Sequence, residues 1–197
     1  IASRRKSEKL IISGQISVNG NITTSPSQKI SSKDIVFFKG KKISISSKPR
    51  MWIYHKPIGE LCSDFDPSGK KTVFDSFPKN LGRVCLVGRL DFNSEGLLLL
   101  TNKGYLKRYL ELPKNKISRT YLVKSWGRIL SDENMNLIRN GLEIEKFQYA
   151  PLKIELISQN KKNFWYRIIL IEGKNREIRN ILGFFGLEVK KLIRTSY

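Results

Sequence analysis

The chain has 197 residues, 40% of them hydrophobic, which suits one large domain or a medium domain with a small one and excludes a disordered tail. Its 37 Lys and Arg against 17 Asp and Glu leave a formal net charge of +20, whose natural partner is a polyanion, nucleic acid before an anionic membrane surface. No run approaches ~20 apolar residues, so nothing spans a bilayer, and the lone His55 cannot complete a zinc site with Cys62 and Cys85, which form no CxxC pair.

There is no signal-peptide pattern, and both cysteines read as reduced cytosolic thiols, so a cytoplasmic location is expected. The chain opens on Ile1 and stops at Tyr197 with no evident terminator, which reads as trimming at both ends.

The first 50 residues hold 11 Lys and Arg but 2 Asp and Glu, a net of +9. "ASRRKSEKLIISG" predicts a short helix that Ser3 caps and Gly14 ends. Arg4, Arg5 and Lys6 fall in its first turn, where each cation opposes the helix dipole by roughly 0.3–1 kcal/mol. Accepting that cost points to phosphate at the helix end, with Lys9 one turn on, although a merely solvated basic face has the same appearance. "QISVNGNIT" alternates into Asn19-Gly20, a two-residue hairpin signal. "IVFFKGKKISI" predicts a second strand pair around Gly40, and "SSKPR" reads as a short linker.

Most of the apolar content follows. "MWIYHKPIGEL" predicts a strand running into a turn at Pro57, and "RVCLV" a short buried strand leading to Gly88. Leu97 to Leu100 is a continuous apolar run whose length favours a strand covered on both faces over a helix. "RTYLVKSWG" alternates, with Tyr121 and Val123 on one face. "SDENMNLIRNG" is a helix with Ser131 as N-cap, acids in the first turn and Gly141 at the end. "NFWYRIILIEG" is a further strand. "NREIRNILGFFG" sets Ile178, Ile181, Leu182 and Phe185 at helical spacing before Gly186. Trp52, Trp126 and Trp165 read as core residues. Strands outnumber helices without regular alternation, which argues for an α+β class with a large mixed sheet.

Asp91, in "GRLDFNSEGLLLLTNKG", is an isolated acid among cations. Buried and unpaired its pKa would rise; an arginine beside it would hold it ionised. Arg89 in the same loop and the distant Arg176 and Arg179 are the candidates. A loop-capping aspartate has the same local spacing.

That stretch, with "EGKNREIRNILGFFGLEVKKLIRTSY", resembles the RsuA family of ribosomal-RNA pseudouridine synthases. "YHKPIGELCS" resembles the family's opening catalytic motif and "RTYLV" its tyrosine motif, while the basic N-terminal module is similar to the S-four-type RNA-binding domain of family members. Four motifs in the family's order span nearly the full chain. The resemblance implies a small helix-and-hairpin module at 1–46, a linker at 47–50, and a catalytic domain at 51–197 with a mainly antiparallel mixed sheet flanked by helices. Asp91 then matches the catalytic aspartate, Tyr121 the tyrosine that packs on the target base, and Arg179 the arginine paired with the aspartate. Leu192 matches an apolar residue beneath the base, and Lys56, Pro57 and Gly59 a structural motif. Arg89, Lys174, Asn175 and Arg176 complete the expected substrate contacts, and Arg4, Arg5, Lys6 and Lys9 the RNA contacts of the first module.

The chain departs from the family pattern at Glu177, where Gln is usual, at Arg119 for Lys, His55 for Asn and Ser94 for Thr. Glu177 matters most. An acid near the Asp91–Arg179 pair would raise the aspartate's pKa, whereas helical phase can instead turn it outward to answer Arg176 or Lys174.

The implied reaction breaks the uridine C1′–N1 bond, turns the base and rejoins it through C5. Nothing is oxidised or imported, so no cofactor or metal is expected. One ionised carboxylate suffices, by addition to C1′ or by removal of a 2′ proton. Glycosidases, which activate water, normally need two. The implied partner is ribosomal RNA or a pre-ribosomal particle, 23S before 16S, met by a monomer. A catalytically impaired ribosome-assembly factor on the same fold is the alternative. A DNA-binding cation explains the charge but not the ordered motifs.

Overall fold

In the computed structural model, which describes residues 2–43 and 48–197, the chain divides into two units, Ile1–Lys48 and Pro49–Tyr197. In the first unit, helix α1 (Arg4–Ile12) starts where the Ser3 hydroxyl accepts from the Lys6 N–H at 3.4 Å. It ends at Gly14, whose φ of +68° lets its N–H turn back to the Ile11 carbonyl. Strands β1 (Ile16–Val18) and β2 (Asn21–Thr23) are joined by Asn19 and Gly20 at φ 52° and 89°. Two successive positive φ values define the type I′ turn that the Asn-Gly pair favours. Strands β3 (Val36–Phe38) and β4 (Lys41–Lys42) repeat the device at Lys39-Gly40, and the sheet order is β2-β1-β3-β4. The expected continuation of this hairpin through Ser44 and Ile45, and Ser46 and Ser47 of the expected linker, lie outside the described residues.

The second unit carries β5 (Met51–Lys56), β6 (Cys85–Val87), β7 (Glu95–Thr101), helix α2 (Gly104–Glu111), β8 (Arg119–Trp126), helix α3 (Asp132–Asn140) and the hairpin β9 (Leu142–Ile144) with β10 (Phe147–Tyr149). There follow β11 (Lys153–Asn160), β12 (Asn163–Leu170), helix α4 (Glu177–Phe184) and β13 (Glu188–Ser196). Its main sheet runs β11-β12-β8-β13-β7-β5, with β6 also on β7; only β13 and β7 are parallel. Along β8 the side chains of Arg119, Tyr121, Val123 and Ser125 are buried and those between them are not. This period of two turns one face inward, where Ile138 of α3 and Ile178, Ile181 and Leu182 of α4 join the same core. A second core gathers Val73, Val84, Leu86, Leu98 and Leu100.

Two expectations need correction. The Leu97–Leu100 run is covered fully on one face only: Leu98 and Leu100 are buried, while Leu97 and Leu99 are half-buried. Leu99 pairs with Ile53, itself exposed on that open face. Trp126 is not core. It is 45% exposed at the end of β8, with the Lys162 and Lys190 ammonium groups 5.9 and 5.8 Å from its ring, while Trp52 and Trp165 are half-buried. Elements α2, β9, β10, β11 and β13 lie beyond the expected ones. Helix α2 lacks both a capping side chain and an acid in its first turn, so nothing local marks its start. Register shifts interrupt β13 after Val189 and Arg194, which breaks its alternation.

Candidate active site

The loop from Gly88 to Ser94 leaves β6 and enters β7 where one edge of β7 changes partner. Strand β13 takes Glu95 and Gly96, and β6 takes Leu99 to Thr101. Arg194, 2% exposed, bridges the split, donating from Nε to the Leu97 carbonyl at 2.7 Å and from Nη2 to the Gly88 carbonyl at 2.9 Å. The loop is fastened on other sides too. The Gly59 N–H donates to the Phe92 carbonyl at 3.0 Å, the Gly88 N–H to Glu111 Oε1 at 2.8 Å, and the Leu90 N–H to Cys62 Sγ at 3.4 Å. Both cysteines are free thiols.

Lys56 is the buried bolt of this loop. Fully enclosed, its Nζ donates to the carbonyls of Ser94 at 2.8 Å, Pro57 at 2.9 Å and Phe92 at 3.4 Å. Burial pulls its ammonium below the usual lysine range, against the neighbouring acids. Lys56→Met keeps the stem and removes the donor, leaving those carbonyls unmatched at a cost of about 1–3 kcal/mol. The expected result is a chain that still folds, with kcat lowered by roughly 10–100-fold and RNA affinity unchanged. Single-turnover kinetics beside a binding titration measure both.

With Leu90 pinned in the core, the next side chain, Asp91, faces a cavity of about 750 Å³ and stays 32% exposed. Its Oδ2 lies 3.9 Å from Arg179 Nε, an ion pair beyond hydrogen-bonding distance. Arg179 spends its other nitrogens on backbone, Nη2 on the Asn93 carbonyl at 2.8 Å and Nη1 on that of Val189 at 3.0 Å. Burial and then the Arg176 charge press its guanidinium below the ordinary arginine value, and Asp91 acts the other way. Of the arginines considered for Asp91, the distant Arg179 makes the ion pair, while Arg89 lines the cavity beside it.

Tyr121, 9% exposed, borders this cavity and a smaller one of about 90 Å³ that Asp91 and Leu192 also line. Arg89, Lys174, Asn175 and Arg176 stand around the larger space, so the structure brings together all eight site residues expected within residues 51–197. Arg4, Arg5, Lys6 and Lys9 are exposed on α1 in the other unit; Arg4 pairs with Glu8 at 3.1 Å. Lys107, Arg119 and Arg194 also line the larger cavity, beyond the expected site residues. Arg119 is the residue expected only as a departure from Lys. Its fork donates from Nη1 to the carbonyls of Ile171 at 3.3 Å and Glu172 at 3.1 Å and from Nη2 to that of Leu110 at 3.2 Å.

Glu177 does not point outward. It is 4% exposed at the start of α4 and lines the smaller cavity. Burial first, then the hydrogen bond and charge of Glu172, push its carboxyl up to about 8. Burial and Glu172 thus favour the neutral form of this carboxyl. Glu172 goes the opposite way. Burial would raise it, but Lys174, the Ala150 N–H and Glu177 together hold it below the usual range.

Residues 50–183 match the family model described as RNA pseudouridylate synthase, and residues 1–36 match the S4 domain. An uncharacterized RNA pseudouridine synthase of Rickettsia felis is 47% identical over 197 residues, 100% of this chain and 85% of that protein. The ribosomal large subunit pseudouridine synthase B of Bacillus subtilis is 36% identical over 199 residues, covering 100% of this chain and 81% of its own length. A crystal structure of a pseudouridylate synthase superposes with a TM-score of 0.68 at 25% identity, over 98% of this chain and 81% of that one. A carboxylate and its arginine, set in a cation-lined cavity at the split of a mainly antiparallel sheet, are thus found in a chain that belongs to the RNA pseudouridylate synthase family, in its RsuA-type branch with an N-terminal S4 domain.

Proposed function

We propose that this chain isomerises a specific uridine of ribosomal RNA to pseudouridine, in 23S rather than 16S RNA, with Asp91 as the reacting carboxylate. The observation that carries the reading is Asp91 itself: a partly exposed acid held by Arg179 at 3.9 Å beside Tyr121. The other acids of the cavities are engaged or neutral. Glu111 accepts from the Gly88 N–H and pairs with Lys107 at 3.7 Å, and burial beside Glu172 favours the neutral form of Glu177.

The target uridine leaves its stack to reach Asp91, at a cost of a few kcal/mol that is smaller in a loop. Packing on Tyr121 returns roughly 1–3 kcal/mol, with Leu192 beneath the base. Asp91 acts at the sugar, on C1′ or on the 2′ proton. Uracil leaves through N1, turns and rejoins C1′ through C5 as the Asp91–C1′ bond breaks or the 2′ proton returns; C5 then gives up its proton and N1 takes one up, so no atom is gained or lost overall. Arg179 keeps the carboxylate aimed. Arg89, Lys107 and Arg176 offer positive charge to the phosphates around it. Arg4, Arg5, Lys6 and Lys9 of the S4 unit capture RNA apart from the chemistry. The chain meets its ribosomal RNA in the cytoplasm, as a monomer. The alternative, a catalytically impaired assembly factor, leans on Glu177 as a charged intruder, whereas burial and Glu172 favour the neutral form of that carboxyl.

The 23S preference is supported by relatives named for the large subunit, from Bacillus subtilis and Buchnera aphidicola. Unmodified 23S and 16S transcripts incubated with the purified chain test it by pseudouridine mapping. One modified position in 23S is the expected result. Modification of 16S alone removes the subunit assignment, and no pseudouridine in either removes the activity.

A further inference from the structure

We propose that Glu177 is a positioning residue: its protonated carboxyl donates a hydrogen bond to the Glu172 carboxylate, and the acid–carboxylate pair holds segment 172–176 in the shape that presents Lys174, Asn175 and Arg176 to the RNA. The inference rests on the substrate reading above for what the segment touches, but not for the pair itself.

Three observations carry it. First, Glu177 Oε1 is buried with no hydrogen-bond partner among the described residues, while Oε2 accepts the Lys174 N–H at 3.0 Å. A proton on Oε1 turns this orphaned atom into a donor, and the Glu172 carboxylate is the acceptor beside it. Second, Glu172 is otherwise engaged as an anion: Oε1 takes the Ala150 N–H at 2.7 Å and Oε2 lies 2.8 Å from Lys174 Nζ. Two ionised carboxylates here would be like charges in a buried site, which disfavours the second ionisation. Third, the segment needs fastening. Arg176 has φ +51°, a left-handed conformation uncommon for a residue with a side chain. The pair closes a ring from residue 172 to 177 around it, and Arg119 grips the Ile171 and Glu172 carbonyls from β8.

The groups facing the pair are Lys174 within the segment, Arg119 of β8 and Tyr149 of β10, whose ring lies 5.6 Å from Lys174 Nζ. Across the smaller cavity stand Arg89, Asp91, Tyr121 and Arg176. Glu177 is raised from an ordinary 4.5 to about 8. Its contribution is therefore fully present below the unfolded value and is lost as pH rises through about 8. Above that, Glu177 ionises against Glu172 and the segment loosens.

Glu177→Gln keeps a donor that cannot ionise, and Glu177→Ala removes it. Between pH 7 and 9 the wild-type kcat/KM on an unmodified 23S transcript should fall about tenfold relative to Glu177→Gln, following the protonated fraction of a group titrating near pH 8. Glu177→Ala should be low throughout, rescued by Gln. Carboxyl carbon-13 NMR of the full chain reads the pair without any RNA, and the Glu177 resonance should titrate near pH 8. Titration below pH 5, or parallel pH profiles for wild type and Glu177→Gln, overturns the proposal. If no transcript is modified by wild type, the activity reading fails, while the NMR titration still decides the pair.

Discussion

Asp91→Asn should abolish pseudouridine formation, lowering the rate by at least roughly 10⁴-fold, while RNA affinity stays within a few-fold of wild type. The substitution is isosteric, so the loop keeps its shape. Its backbone is held by Lys56, Arg194, Gly59 and Arg179, not by the Asp91 side chain. On the proposed reading, what disappears is the reacting carboxylate. The amide is a poor nucleophile and a poor base, and Arg179 no longer has a carboxylate to aim. Affinity survives because phosphate contacts with the cations dominate it, and removing a negative charge beside the RNA does not weaken them. Single-turnover assays at saturating RNA, with a binding titration at the same salt concentration, measure both quantities. Activity near wild type would take Asp91 out of the mechanism.

The largest structural effect should come from Gly96→Ala. Gly96 has φ +103°, and a Cβ built there lies 2.3 Å from the Arg194 carbonyl oxygen and 2.9 Å from its nitrogen. Both obstacles are backbone, so no rotamer change relieves them. Strain at the backbone and the clash together cost about 3 kcal/mol or more. For a chain of this size that lowers Tm by roughly 6–12 °C. The contact displaced is the short parallel pairing of β13 with β7, which seats Arg194 between Leu97 and Gly88. Activity should therefore fall with stability. Gly104→Ala is the control: it meets nothing within 4 Å, needs no positive φ, and should leave the melting curve unchanged or slightly higher. Calorimetry of the three proteins separates a local clash from a general intolerance of substitution.

How much of this was legible beforehand follows from the range of the forces involved. The Ser3 and Ser131 caps, the Asn19-Gly20 and Lys39-Gly40 turns and the alternation of β8 all form as their residues suggest. Each is decided within a few residues by sterics and hydrogen bonds. Helix α2 escaped because its N-cap, Lys103, offers no capping side chain, yet its Glu111 holds the Gly88 N–H of the loop that carries Asp91. Trp126 was misplaced because its alternation along β8 sets it on the open face, and nothing local tells which face a helix will cover.

The sequence alone determined the charge balance, the local elements and, through ordered motifs, the family and the residues to watch. Its spacing alone did not determine which of Arg89, Arg176 and Arg179 pairs with Asp91; the resemblance pointed to Arg179, and sheet order and α4 bring that residue to the Asn93 carbonyl. Nor did it determine the state of Glu177. A glutamate in "REIR" is neutral or charged according to how much water remains around it and which acid it faces, and only packing against Glu172 inside the folded chain settles both.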